Sequence, residues 1–476
     1  MRAMNASAVL LVLLSIQVVA VAQSRPAVDA RPDVLFVLLD DAGWTDFSCM
    51  GGPHATPHVD ALAAEGRRFT QFQTAQAVCS ASRAAILTGC YPNRIGILHA
   101  LMPEAKIGLA DAETTLAESL KSVGYTTGVF GKWHLGDKTP FRPLRHGFDT
   151  WYGIPYSNDM WAERARTEPA ARAYPPLPIW RDDAVVGTVE SMEDQAKLTR
   201  DITSAAVSFI KNAADRPYFC FVPYPQPHMP IAASPEHRGK SATGPYGDVM
   251  REIDASIGRL LDAVDARGRR NATLVVVTSD NGPWLVYGDH AGTCNGLREG
   301  KGTMWEGGSR VPLIVRWPGR VAAGTVATAH LATVDLFPTL TALLGSPRGT
   351  LPIDGYDMSP TFLGDAEAPP RPPHVNWYGN DLVSIREGRW KLVFPHSFSS
   401  VKERGKEGRP GKMQAERAER ALYDLERDPL ESEDVAKKHP DVVARLERVA
   451  EAARAALGDA LTKRRGTETR PSGRVP

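Results

Sequence analysis

The chain is 476 residues long, 43% hydrophobic and 23% charged, enough for one large α/β core with a smaller domain beside it. Its 56 basic side chains meet 55 acidic ones, a net charge of +1. That balance supplies no basic field for nucleic acid and no acidic tail, so charge-driven chemistry must come from local clusters.

Arg2 precedes an apolar run from Ala8 to Ala22 that ends in the small-x-small triplet Ala20-Val21-Ala22. Residues 1–22 read as a secretory signal peptide, too short and too interrupted by Ser15 and Gln17 to span a bilayer. No other stretch could cross a membrane, so a secreted or periplasmic location is expected. Val34–Leu39, Tyr125–Phe130, Tyr218–Val222, Leu274–Thr278 and Val311–Arg316 read as buried strands. Helical patterns lie between them at His58–Gly66, Thr114–Val123, Leu198–Ala213 and Val249–Arg267. Apolar strands alternating with helices predict an α/β domain over residues 23–368, its sheet largely parallel and covered on both faces.

After a helical stretch at Thr333–Leu344 the texture changes. Pro352, Pro360, Pro369, Pro370, Pro372 and Pro373 mark an irregular connection. His374–Tyr378, Val383–Glu387 and Trp390–Phe394, the last two joined by Gly388-Arg389, predict a small antiparallel sheet. Ser399–Arg417 is polar and reads as an exposed loop, and Val442–Leu457 as a closing helix. Residues 369–461 thus form an expected small α+β domain, and 462–476, basic with Gly and Pro, a disordered tail.

Ligands of such sheets bind beyond the carboxyl ends of the strands. Four strands deliver chemistry there: Asp40-Asp41 after the first, Lys132 and His134 after the second, His228 after the third, Asp280-Asn281 after the fourth. Either acidic pair alone is an ordinary turn. Two pairs after two buried strands point to a cation, because adjacent carboxylates repel unless one compensates them. Their oxygen ligands suit Ca²⁺ or Mg²⁺ rather than zinc. Five cysteines, at 49, 79, 90, 220 and 294, fit no zinc spacing, and an odd number leaves at least one unpaired. Cys79 stands at a predicted helix start, where free amides favour an anion, with Arg83 one turn on. The three residues between them are too few for a thiolate phosphatase loop.

The stretch C-S-A-S-R-A-A-I-L-T-G resembles the signature of type I sulfatases, Cys-x-Pro/Ala-x-Arg followed by a helix ending Thr-Gly. L-L-D-D-A-G-W, G-K-W-H-L-G, G-F-D-T-W-Y-G-I-P-Y-S-N-D, S-D-N-G and G-K-G-T-M-W-E-G-G-S-R-V-P follow the family's order along nearly the whole mature chain, most like the arylsulfatase A type. The resemblance implies an alkaline-phosphatase-like α/β sandwich with a smaller C-terminal antiparallel sheet. It implies formylglycine made from Cys79 by a maturation enzyme, and a Ca²⁺ ion on Asp40, Asp41, Asp280, Asn281 and the Cys79 group. Arg83 would hold the aldehyde hydrate, and Lys132, His134, His228 and Lys301 would surround the sulfate. One hydrate hydroxyl would attack sulfur and the second later expel sulfate. His228 or Lys301 would protonate the leaving alcohol, and His134 would take the hydrate's proton. Asn158 and Asp159 are candidate substrate contacts or a plain turn. Sulfate monoester hydrolysis on a sulfated small molecule or carbohydrate is the expected reaction. Phosphate or phosphonate ester hydrolysis on the same scaffold, and a non-catalytic secreted binder of sulfated ligands, are the alternatives.

Overall fold

Asp33–Leu39 forms strand β1 and is buried at every position, so it needs neighbours at both edges and cover on both faces. A computed structural model describes residues 31–164, 168, 173–213 and 216–476; the expected signal peptide lies outside them. With β1, the central sheet comprises β2 (Arg67–Phe69), β3 (Thr126–Lys132), β4 (Thr150–Ile154), β5 (Leu177–Arg181), β6 (Ala184–Val189), β7 (Tyr218–Pro223), β8 (Thr273–Ser279), β9 (Leu313–Arg316) and β10 (Thr325–Ala327). Their spatial order is β10-β2-β9-β8-β1-β7-β3-β4-β5-β6. The run β8-β1-β7-β3-β4 is parallel, as the apolar strand pattern predicts. Strand β9, the Val311–Arg316 run, is instead antiparallel to β8. Its connection has no long crossover helix, so the chain stays at the carboxyl end of β8, where Leu313 pairs with Thr278.

Alternate residues of β1 enter two separate cores, as the two-residue period of a strand requires. Val34, Phe36 and Leu38 pack with Ile86, Leu87, Leu116 and Phe337. Those residues come from α2 (Cys79–Thr88), α3 (Leu116–Ser122) and α6 (Leu336–Leu344). Leu35, Val37 and Leu39 pack with Val59, Ile202, Ile253 and Ile257. These lie on α1 (Pro57–Ala64), α4 (Leu198–Asn212) and α5 (Gly244–Ala266).

The C-terminal region builds a four-stranded antiparallel sheet from β11 (His374–Tyr378), β12 (Asp381–Glu387), β13 (Trp390–Val393) and β16 (Ala421–Asp424), backed by α7 (Pro440–Leu457). The expected loop Ser399–Arg417 is instead most of a hairpin, β14 (His396–Glu403) with β15 (Lys412–Ala418). In β14, His396, Phe398 and Ser400 are buried while Ser397 and Ser399 are exposed. Phe398 packs against Trp305 of the main body. Six of the seven residues of β15 are exposed, so no apolar alternation betrayed that strand.

The main body and the smaller sheet share buried charge. Glu306, wholly buried, accepts hydrogen bonds from Arg310 one helical turn on (2.8 Å) and from Arg386 (3.3 Å) and Lys391 (3.2 Å) of β12 and β13. Lys391 also meets Glu431 at 2.6 Å, and Glu431 accepts the Glu306 N–H at 2.8 Å. Burial alone would raise the Glu306 carboxyl; Arg310, Lys391 and Arg386 hold it below the usual carboxylate range.

The tail, 462–476, is not disordered. Gly473 and Arg474 pair with Gly108 and Ile107, and the Arg470 guanidinium grips buried Glu113 at 2.7 and 2.8 Å. Composition could not show this, because Glu113, Gly108 and Ile107 lie more than 350 residues away. Arg470→Ala leaves that carboxylate unpaired and is expected to cost about 1–3 kcal/mol. A denaturation midpoint unchanged from wild type would show that the pair contributes nothing.

Candidate active site

Leu39 and Ser279 are paired neighbours on parallel strands, so Asp40 and Asp280 emerge together at one sheet edge. The Asp280 N–H donates to the Leu39 carbonyl (3.0 Å), and the Asp41 N–H to Asp280 Oδ1 (3.2 Å). Asp41 adopts φ 67°, a left-handed turn that Asp tolerates better than most residues. The Asn281 side-chain amide donates to Asp41 Oδ1 at 2.7 Å.

Cys79 is the first residue of α2, with Sγ 3.5 Å from Asp40 Oδ1. Burial, reinforced by Asp40, pushes its thiol up to about 12, so the bare cysteine stays protonated and is a poor nucleophile at neutral pH. Arg83, one helical turn on, meets Asp280 Oδ2 at 2.9 Å and Asp40 Oδ2 at 3.4 Å, and donates to the Lys132 carbonyl at 2.7 Å.

Lys132 ends β3 fully buried, where its ammonium contacts Asp40 and donates to Ser157 Oγ (3.0 Å). His134, at φ 61°, holds the Leu101 carbonyl through Nε2 (3.0 Å) and leaves Nδ1 without a partner. His228 follows β7; its Nε2 lies 3.6 Å from Asp41 Oδ2, and its Nδ1 lies 2.6 Å from the Met229 carbonyl. Lys301 reaches Asp41 at 2.8 Å and lies 4.4 Å from the centre of the Trp284 ring.

These charges shape one another. Burial favours the neutral Asp40 acid, but Lys132, His228 and Arg83 outweigh it and hold the carboxyl well below its usual range. Burial and then the Asp40 charge push Asp280 up. Burial, Lys132 and Arg83 drive His134 well down, and burial with Lys301 lowers His228.

The ligand atoms of Asp40, Asp41, Cys79 and His228 lie within 4.8 Å of one another. Asp280 and Asn281, expected in the same ligand set, stand directly behind, bonded to Arg83 and Asp41. The buried Asn281 Oδ1 has no hydrogen-bond partner. A convergent set of buried carboxylates with one orphaned amide oxygen suits a hard, oxygen-seeking cation. Asn158 is fully buried and structural on its amide side, donating to the His228 and Pro230 carbonyls at 3.3 Å. Asp159 binds Arg164 and faces His228 and Lys132 electrostatically. Sequence reasoning missed Ser157, the support of Lys132, and Trp284, which lies under Lys301 and against the His228 ring (5.3 Å). Trp284 stands three residues after Asn281, the one signal that could have marked it.

The family model described as Sulfatase matches residues 32–346, and the one described as C-terminal region of aryl-sulfatase matches residues 370–473. The chain belongs to the sulfatase family. N-acetylgalactosamine-6-sulfatase of Canis lupus familiaris is 38% identical over 389 residues, covering 76% of this chain and 72% of that protein. Arylsulfatase A of Homo sapiens is 34% identical over 451 residues, covering 89% and 88%. The crystal structure of PsFucS1 sulfatase from Pseudoalteromonas sp. matches with a TM-score of 0.80 at 28% identity, over 89% of this chain and 90% of that one. The phosphonate monoester hydrolase of Agrobacterium radiobacter, at 20% identity and a TM-score of 0.59 over 89% and 95%, shares the fold alone. The sulfatase is thus a hydrolase of sulfuric esters on an alkaline-phosphatase-like α/β fold. Among the described residues no helix is long and apolar enough to cross a membrane.

The cations differ in burial, which gives a test. Lys132→Ala removes a fully buried partner of Asp40 and should destabilise the metal-free sulfatase by about 3–5 kcal/mol. Lys301 is 11% exposed, and Lys301→Ala should cost distinctly less. Equal shifts in the two unfolding midpoints would contradict this.

Proposed function

We propose that this sulfatase cleaves sulfate monoesters with a formylglycine made from Cys79, seated beside a calcium ion. The observation that carries this is the placement of a buried, protonated thiol against Asp40 inside a ring of cations. A thiol is the wrong reagent there, whereas a formylglycine hydrate supplies one hydroxyl to attack sulfur and another to release sulfate. The oxidation is the task of a separate maturation enzyme. Asp40, Asp41, Asp280, Asn281 and the Cys79-derived group would hold Ca²⁺, or Mg²⁺ in its place, and a bound cation would neutralise sulfate oxygens.

The protein's own side chains account for the rest. Lys132 and Lys301 offset the sulfate's remaining negative charge without reorganising, because Asp40 and Asp41 already fix their ammonium groups. Arg83, locked between Asp280 and Asp40, orients the Cys79-derived group at the helix start. His134, held neutral and tethered through Nε2, has Nδ1 free to take a proton from the second hydroxyl. The departing alcohol receives its proton from His228 or Lys301, the two groups that share Asp41. N-acetylgalactosamine-6-sulfatase and arylsulfatase A among the relatives support sulfated carbohydrate or aryl sulfate as the substrate range. Export through residues 1–22 would deliver the enzyme to the periplasm, the exterior or, in a eukaryote, the lysosome.

Mass spectrometry of the Cys79 peptide from active enzyme should show the formylglycine mass. Cys79→Ala should lower sulfate release from 4-nitrophenyl sulfate by about a thousandfold or more with an unchanged circular dichroism spectrum. Chelation should abolish turnover and Ca²⁺ restore it. An active enzyme with an untouched thiol, or faster turnover of 4-nitrophenyl phosphate than of the sulfate, would overturn the reading.

A further inference from the structure

Between the large sheet and the small one lies a cavity of about 750 Å³ whose walls hold none of the residues that surround Cys79. Four arginines line it, Arg310, Arg371, Arg386 and Arg389, against a single carboxylate, Glu426. Two of the four are already committed. Arg371 grips Asp335 at 2.6 and 3.0 Å, and Arg389 holds Asp424 and, at 3.0 Å, Glu426. Arg310 and Arg386 are not matched in this way. Both share Glu306 with Lys391, whose other partner is Glu431, so three buried cations meet two carboxylates.

A buried charge left over is unfavourable unless something supplies its counter-ion. The Arg310 and Arg386 side chains are each only 3% exposed. Arg310 uses Nε and Nη2 on Glu306, at 2.8 and 2.5 Å, which leaves Nη1 for a partner from the cavity. Arg386 donates to the Gly388 carbonyl (3.2 Å), Glu306 (3.3 Å) and Gln71 (2.5 Å), so one N–H of each Nη group stays free. Burial, with repulsion from Arg310 and Arg371, lowers the Arg386 guanidinium to about 10 even beside Glu306. Apolar groups complete the wall: Leu297, Leu425 and Leu430 line it, and the Trp44 ring centre lies 5.3 Å from the Arg310 guanidinium. The volume falls within the range of small-molecule cavities, roughly 300–1,000 Å³.

We propose that this cleft is a second anion site, which binds a carboxylate, sulfate or phosphate group carried on a ring-sized apolar body. The anion's oxygens accept the free N–H groups of Arg310 and Arg386, whose planar forks match oxyanion geometry. The body packs against Trp44 and the leucines. Two loops connect the site to the reacting centre. Trp44 stands three residues after Asp41, and the segment from Asn295 to Arg310 meets the cavity at both ends and carries Lys301 between them. An occupant therefore braces the loops that present Asp41 and Lys301 without touching either residue. The site is independent of the ester that the reacting centre cleaves.

The test titrates the full chain, supplied with Ca²⁺, with naphthalene-2-sulfonate in a calorimeter; a sulfonate keeps the charge and the ring but has no ester to hydrolyse. Wild-type protein should bind it at least tenfold more tightly than naphthalene-2-sulfonamide, the same ring without the charge. Ala329 is exposed and lines the cavity, so its variants change the site without disturbing the core. Ala329→Glu sets a like charge beside the anion and should weaken binding tenfold or more, whereas Ala329→Lys should leave it unchanged or tighter. Both should keep the wild-type unfolding midpoint. Arg310→Gln should weaken binding as much as Ala329→Glu does. Failure of the wild type to bind the sulfonate would overturn the proposal, as would equal affinities in Ala329→Glu and Ala329→Lys, which place the probe elsewhere. Protein that binds the sulfonate here but releases no sulfate from 4-nitrophenyl sulfate would sink the earlier reading and leave this site standing.

Discussion

Three carboxylates cannot share a dry strand-end site unless cations are built around them. Asp40, Asp41 and Asp280 are brought together by the register of two parallel strands, and their repulsion is the constraint to which the surrounding structure answers. Arg83 comes from a helix and pairs with both Asp280 and Asp40, Lys132 from the end of β3 pairs with Asp40, and Lys301 from the loop before β9 pairs with Asp41. A protein that assembles equal and opposite charge out of water has prepared a place where an anionic ester can be accommodated. The same arrangement explains why Cys79 belongs there as something other than a thiolate: next to Asp40, a second fixed anion would be unfavourable.

The charged centre and the surface around it come from different parts of the chain. The charged centre stands on strand ends and a helix start whose backbones are fixed by the two cores flanking the sheet. The walls around it come from loops and from the β14–β15 hairpin. A rigid centre with walls built from loops is an arrangement on which one fold can carry many functions.

Much of this was legible in the residues. Near-continuous apolar runs marked the parallel strands because a strand buried on both faces has no polar alternation to conceal it. The strand-end rule picks out Asp40, Asp41, Lys132, His134, His228, Asp280 and Asn281 from the sequence alone. Legibility ended where a residue's role depended on distant partners. β15 is exposed at nearly every position, the tail is held by Glu113, and β9 runs backwards because of its connection. Ser157 and Trp284 were missed for a related reason: neither carries charge, and each matters through the charged or catalytic side chains it supports.

The buried knot of Glu306, Glu431, Lys391, Arg310 and Arg386 bears on how such proteins can diversify. Its anions and cations come from both sides of the boundary between the large sheet and the small one. Exchanging the final hundred residues between relatives would therefore strand charges in the interior unless both halves of the knot travelled together. The smaller sheet is in that sense tied to the larger one, whereas the β14–β15 hairpin carries no share of that electrostatic bond.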